Sequence, residues 1–119
     1  MIKQITHINV GGVEYPLAFN LNVLEIIQEE YGNIDKWAEL TGGSGNEPRM
    51  KDLKFGFREM INEGIDIENE EKSENRAFVT DKQVGRILSV LGSDASLSIL
   101  QSVTVDSVGV DTVNDEKNA

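Results

Sequence analysis

Few residues in this chain are of types that carry chemistry. His7 is the single histidine and cysteine is absent, which excludes thiol nucleophiles, disulfides, zinc–thiolate sites and iron–sulfur clusters together. A Ser-His-Asp arrangement would have to be built around His7, and an HExxH-type site or a histidine cluster cannot be built at all. His7 stands beside Ile5 and Ile8 with no partner nearby in sequence, and reads as a hydrogen-bonded strand histidine rather than a base. The run Asp66-x-Glu68-x-Glu70-Glu71 places carboxylates at alternate positions, as calcium loops do. It lacks the central glycine and the closing bidentate Glu of the EF-hand loop. Acid–base work by paired carboxylates needs one of them in an apolar setting that raises its pKa, and nothing in these runs, read as exposed, suggests such a setting. Gly42-Gly43-Ser44-Gly45 shares only composition with a phosphate-cradling loop, because Pro48 and Arg49 follow where a Walker motif has Gly-Lys-Ser/Thr. The expectation is a binding protein with no catalytic centre, no cofactor and no metal.

The elements that would position a binding surface are legible in the hydrophobic pattern. Residues 2–19 read as a β-hairpin: Ile8 and Val10 alternate with Asn9, Gly11-Gly12 supplies the turn, and Val13, Tyr15, Leu17 and Phe19 alternate with Glu14, Pro16 and Ala18. Those four apolar residues share one face that needs a cover, and Pro16 marks an edge or a bulge. Asn20 is a suitable N-cap for a helix over 21–31, with Val23, Leu24, Ile27 and Tyr31 at helical spacing and Gly32 after its end. Ile34, Trp37, Ala38 and Leu40 suggest a second short helix behind Asn33 or Asp35, and the stretch 41–48 reads as a flexible Gly-rich loop.

Met50, Leu53, Phe57, Met60 and Ile61 fit one face of a helix over about 49–63, which Gly64 is expected to stop. Phe55 falls off that stripe and Gly56 interrupts it at a cost of about 1 kcal/mol relative to Ala, which fits either close packing or a contact surface. Segment 65–76 reads as an acidic, mobile loop. Thr80-Asp81-Lys82-Gln83 fits a capping box that opens a helix burying Val84, Ile87, Leu88 and Leu91 and ending at Gly92. Ser93 with Asp94 starts a last helix through Leu97, Ile99, Leu100 and Val103. The valines from 103 to 113 fit a strand as well as a helix, and 108–119 is taken as a disordered tail. The fold class is therefore α+β: a hairpin packed on four to five helices, one domain over 1–107, and an acidic tail.

The chain has 119 residues, with 21 acidic against 11 basic side chains and a formal net charge of -10. That charge opposes binding to a phosphate backbone, whose affinity comes from Lys and Arg displacing counterions. No apolar run approaches the roughly 20 residues that span a bilayer, and no basic segment followed by an apolar stretch opens the chain. A soluble protein that is neither exported nor bound to nucleic acid or membrane is expected. Trp37 and Phe55 remain as the aromatics to watch, since an aromatic on a helix is core in most cases and an interface anchor in others.

The order Asn9-Val-Gly-Gly-Val-Glu-Tyr-Pro-Leu-Ala-Phe19, then Val23-Leu-Glu-Ile-Ile-Gln-Glu-Glu-Tyr-Gly32, then Ile34 and Trp37, resembles the tail assembly chaperones of long-tailed siphophages infecting Gram-positive bacteria. In that family a hairpin with a glycine turn, Glu/Lys-Tyr-Pro-Leu and Phe precedes a helix ending in Tyr-Gly. The helix ending at Glu63-Gly64, the Thr80-Asp81-x-Gln83 start and the charged tail extend the likeness over residues 5 to about 105. The Gly-rich stretch 42–48 and the acidic stretch 65–76 depart from the pattern.

The resemblance implies a non-virion protein of the host bacterial cytoplasm that binds the long, helix-rich tape measure protein, keeps it soluble and helps bring tail tube subunits to it during virion morphogenesis. It also implies a longer form made by programmed frameshifting, and it is compatible with a homo-oligomer. A bare amphipathic helix aggregates, and a small domain can cover its apolar stripe with a groove between helices. The sequence places that groove between the helices of 21–31 and 49–63, lined by Leu24, Ile27 and Tyr31, with Trp37 and Phe55 at its rim. The alternative is an acidic DNA mimic that inhibits a basic host enzyme. Such a mimic needs carboxylates held on a rigid surface, whereas the pattern puts them in loops and a tail.

Overall fold

Gly11 and Gly12 take φ of 62° and 85°, the positive dihedrals that a two-residue type I′ hairpin turn requires. They join strand β1 (Ile5–Val10) to strand β2 (Val13–Ala18) in an antiparallel, two-stranded sheet whose register runs from Val10↔Val13 to Ile5↔Ala18. The chain is represented by a computed structural model that describes residues 5–43, 45 and 47–108. Five helices follow the hairpin, and the architecture is the α+β fold expected. Pro16 sits opposite His7 without breaking the ladder, as a sheet made only of edge strands allows.

The expectation of a single covered face on β2 is corrected. Burial changes along the strand rather than across it: Val13 at the turn is exposed, whereas Pro16, Leu17, Ala18 and Phe19 are all buried. The far half of β2 is buried on both faces, with the long third helix lying directly on it.

Asn20 caps helix α1 (Leu21–Tyr31), its Oδ1 accepting from the amides of Asn22 and Val23 at 3.1 and 3.3 Å. Its Nδ2 donates to Glu63 Oε2 at 2.7 Å, so one side chain both starts a helix and ties it to the next layer. Asn33 caps the short helix α2 (Ile34–Ala38) through the Lys36 amide at 2.8 Å. A widened turn over Glu39–Gly43 continues α2. Thr41, buried within it, donates its hydroxyl to the Trp37 and Ala38 carbonyls, and the Arg49 amide reaches back to Leu40 O at 2.8 Å. The first part of the expected flexible loop 41–48 is thus hydrogen-bonded structure; Ser44 and Asn46 lie outside the described residues.

Helix α3 runs from Met50 to Lys72. Gly64 does not stop it and 65–72 is not a loop, which corrects two expectations together. Gly64 keeps helical dihedrals, and a Cβ there would lie 2.8 Å from the Pro16 carbonyl carbon and oxygen. The glycine is therefore a contact point for β2, which a sequence alone cannot distinguish from a helix stop. Beyond it Ile65 is buried, while Asp66, Glu70 and Glu71 are exposed. Ser73 ends the helix in a left-handed conformation, φ 54°, its amide bonding Asn69 O.

Residues 73–80 cross back without regular structure. The capping box at Thr80 is formed in both directions: Gln83 N donates to Thr80 Oγ1 at 3.2 Å, and Thr80 N donates to Gln83 Oε1 at 2.8 Å. It opens helix α4 (Asp81–Leu91). The chain then bends by 109° at Gly92 into helix α5 (Ser93–Val108). The positions 103–108 are helical, so the strand alternative fails there and residue 108, expected to open the disordered tail, is helical; the rest of that expectation, 109–119, lies outside the described residues. Among the described residues no single helix is long and apolar enough to cross a membrane. The core joins all layers: Leu17 from β2 and Phe19 just after it, Val23 and Ile27 from α1, Phe57, Met60 and Ile61 from α3, Val84 from α4, and Leu100 and Val103 from α5. Each of its large side chains contributes on the order of 1.5–3 kcal/mol by leaving water.

Candidate partner-binding surface

The five residues marked by the sequence as partner-binding separate into two groups. Ile27 is core, and Trp37 is only 2% exposed, so Trp37 stands at no rim. Its ring lies on Gly56 of α3, where any added Cβ would overlap Cζ2 and come within 3.0 Å of Cε2. Its Nε1 donates to the Asp52 carbonyl at 3.1 Å. Of the two meanings the sequence leaves for Gly56, close packing is the one found: it is the seat of this tryptophan. Leu24, Tyr31 and Phe55 are half-buried. Tyr31 and Phe55 meet edge to face with centroids 5.6 Å apart, and the Arg58 guanidinium covers Phe55 at 5.4 Å.

Asp52 holds this corner together. It is 4% exposed, accepts the Tyr31 hydroxyl on Oδ1 at 2.5 Å, and has Arg49 Nε 3.4 Å from Oδ2. That second oxygen is buried with no hydrogen bond, so Arg49 balances its charge without satisfying its lone pairs. Burial, and then the bond to Asp52, push the Tyr31 pKa above its ordinary value. The phenol is thereby kept as a donor and is unsuited to act as a base or nucleophile. Tyr31, Asp52 and Trp37 form a brace that fixes α1 and α2 against α3, across the line where the sequence places a groove.

Two open recesses lie elsewhere, on either side of α4. The larger, of 650 Å³, runs between the first half of α3 and α4; its walls include Met50, Lys51 and Lys54 on one side and Gly85, Leu88, Ser89 and Gly92 on the other. Met50 is 47% exposed at its mouth, and Asp81 spans one end by pairing with Lys54 at 3.0 Å and Arg58 at 3.6 Å. The smaller, of 310 Å³, is formed by Tyr15, the extended residues Arg76–Val79, and Gln83 and Arg86 of α4.

The sequence reading missed both recesses. One signal for the second was available: over 75–93 the chain carries Arg76, Lys82 and Arg86 against the single acid Asp81, in a protein with about twice as many acids as bases. His7, the lone histidine, faces Glu68 of α3 at 2.6 Å, with Lys72 Nζ 3.8 Å from the same carboxylate oxygen. It ties β1 to α3, as a strand histidine with a polar partner does. Among the described residues no group of three His, Asp or Glu side chains could hold a metal ion. Comparison with known protein families, curated proteins and solved structures gives no significant match to this chain.

Proposed function

We propose that this chain is a phage tail assembly chaperone, a binding protein rather than an enzyme, which covers helical segments of the tape measure protein and helps bring tail tube subunits to it. The reading rests on the ordered resemblance over residues 9–37, and the observation that supports it most directly is the α3–α4 cleft. Gly85, Ser89 and Gly92 give that cleft a wall of short side chains, against which another helix can lie close, while Met50 and Leu88 offer apolar contact. Methionine adapts to varied partners because its thioether chain is unbranched and flexible. A net charge of -10 keeps such a complex soluble.

Co-expression with the longest helix-rich reading frame downstream in the source genome tests the proposal. A partner insoluble alone should become soluble and co-purify in fixed stoichiometry. A partner that stays insoluble beside well-folded chaperone defeats the reading.

One observation favours the DNA-mimic alternative more than the sequence did. Asp66 and Glu70 stand on a rigid helix rather than in a loop, so they hold a spacing of about 6 Å along its axis. A single short row still falls well short of the two strands of a duplex. Failure of the chain to displace DNA from basic host enzymes removes this alternative.

A further inference from the structure

The recess between Tyr15 and α4 combines features that the α3–α4 cleft lacks. Its floor is a stretch of extended chain held by two asparagines of α3. Asn62 donates to Val79 O and accepts from Val79 N, at 3.2 and 2.8 Å. Asn69 does the same for Arg76, at 3.0 Å in both directions. Seven helical residues advance about 10.5 Å and three extended residues about 10 Å, so the two side-chain amides fall in register with the segment running antiparallel to α3. Between the clamps Phe78 projects into solvent, 55% exposed, where a hydrophobic side chain on an unanchored loop would fold inward.

The charges around it are equally specific. The Arg76 guanidinium lies over the Tyr15 ring at 5.2 Å, and Arg86 lines the same recess, one helical turn from Lys82. None of these three cations has a carboxylate within ion-pair distance among the described residues, and neither do the scattered Lys36 and Lys51, whereas Arg49, Lys54, Arg58 and Lys72 do; only here do unpaired cations gather at one recess. A protein with ten more acidic than basic side chains has thus left the two arginines lining this recess uncompensated beside a fixed, exposed aromatic, with Lys82 one turn away. Arginine and aromatic side chains held in place before binding are what interface hot spots consist of, since little freedom is lost on contact.

We infer that this surface docks an acidic segment of a partner protein, with an apolar side chain of the partner against Phe78 and Tyr15 and its carboxylates on Arg76 and Arg86. Arginine's planar fork receives carboxylates in pairs. A nucleic acid is the poorer occupant, because three cations cannot offset the repulsion between a phosphate backbone and the rest of the chain. The inference deepens the chaperone reading, on which it rests for the partner's identity: the tape measure stretch bound here is acidic.

Titration of the ¹⁵N-labelled protein with a peptide of about 20 residues carrying leucines flanked by glutamates tests the surface independently of that reading. Amide shifts should concentrate between Arg76 and Arg86, weaken as salt rises, and be absent for the same peptide with lysines in place of glutamates. Phe78→Ser and Arg86→Glu, both on exposed positions and checked for folding by the same spectra, should each weaken binding by about tenfold or more, and Lys36→Glu on α2 should leave it unchanged. Binding of the lysine peptide, unchanged affinity in both variants, stronger binding of a single-stranded oligonucleotide, or shifts explained by self-association of the protein each overturn the inference. Co-purification of the tape measure protein that survives Phe78→Ser and Arg86→Glu together removes this docking site and leaves the chaperone reading standing; loss of co-purification in the unaltered protein does the reverse.

Discussion

The two halves of α3 are built from the same kind of residue pattern and used in opposite ways. In the first half, Gly56 admits a tryptophan side chain, and the neighbouring carboxylate of Asp52 is drawn inward to brace two other helices. In the second half, Gly64 admits the backbone of β2, the acids mostly face outward, and asparagines hold an extended segment by its peptide groups. One half closes a corner of the molecule; the other displays a surface. What separates them is the partner each glycine meets, a ring in one case and a main chain in the other.

Glycine substitutions break that contrast most severely. In Gly64→Ala the new methyl meets the Pro16 carbonyl at 2.8 Å, and because backbone cannot turn aside, a loss of about 3 kcal/mol is expected, at the upper end of overpacking costs. In Gly56→Ala the clash is with the Trp37 ring, whose displacement also breaks its bond to Asp52; about 2–3 kcal/mol is expected. Urea denaturation followed by tryptophan fluorescence distinguishes them. Gly56→Ala should alter the native emission of Trp37, the only tryptophan, and Gly64→Ala should leave it in place while lowering the midpoint.

Removing a clamp tests the displaying half. Asn62→Ala strands the amide and carbonyl of Val79, and Asn69→Ala those of Arg76. Each should cost about 1–2 kcal/mol, reduced from the buried value because water can reach the segment. Hydrogen exchange should accelerate at the amide whose clamp is lost. Equal acceleration at both amides would mean that the segment opens as one unit and that the two clamps are not independent.

The closing half is sharpened by pH. The Tyr31 pKa is raised in the folded protein, so the folded state holds that proton more tightly than the unfolded chain does. The associated stability is complete below the ordinary tyrosine pKa of about 10 and is lost as pH rises above it. Tyr31→Phe should therefore lose stability more slowly than the parent above about pH 10, with the slopes differing by at most one proton. At neutral pH the same variant is expected to be less stable by about 1–2 kcal/mol, because Asp52 Oδ1 loses its donor while Oδ2 already has none. Matched slopes in the two proteins would place Tyr31 in water.

What the sequence could reveal follows the same division. Local signals survived intact: the Gly11-Gly12 turn, the Asn20 and Asn33 caps and the reciprocal Thr80–Gln83 box each depend on residues a few positions apart. The errors came where a residue's role is set by something distant in sequence. Gly64 looks like a stop until Pro16 is known to cross it, and Trp37 looks like an anchor until Gly56 is known to receive it. Asp66 to Glu71 carry the charge of a solvated loop, although Ile65 and the Asn62/Asn69 spacing continue the helical face. The recess around Phe78 is hardest to see, since the scarcity of acids over 75–93 becomes informative only when the fold shows those cations unpaired.

Gly85 on α4 carries the smallest effect and separates stability from binding. It also lies in a helix, but a Cβ there would meet only the Lys54 side chain, its Cδ at an ordinary 3.5 Å and its Nζ at 3.8 Å. No neighbour has to yield, so Gly85→Ala should gain up to about 1 kcal/mol from helix propensity, the opposite sign to Gly56→Ala and Gly64→Ala. The same methyl narrows the α3–α4 cleft from its smallest wall position. If a partner helix lies in that cleft, Gly85→Ala gives a protein that melts higher and retains less of its partner on co-purification, whereas binding confined to the Phe78 surface leaves retention untouched. A lower melting temperature would show that α4 sits closer to α3 than a 3.5 Å contact permits, and the two glycines of α3 would then no longer be special.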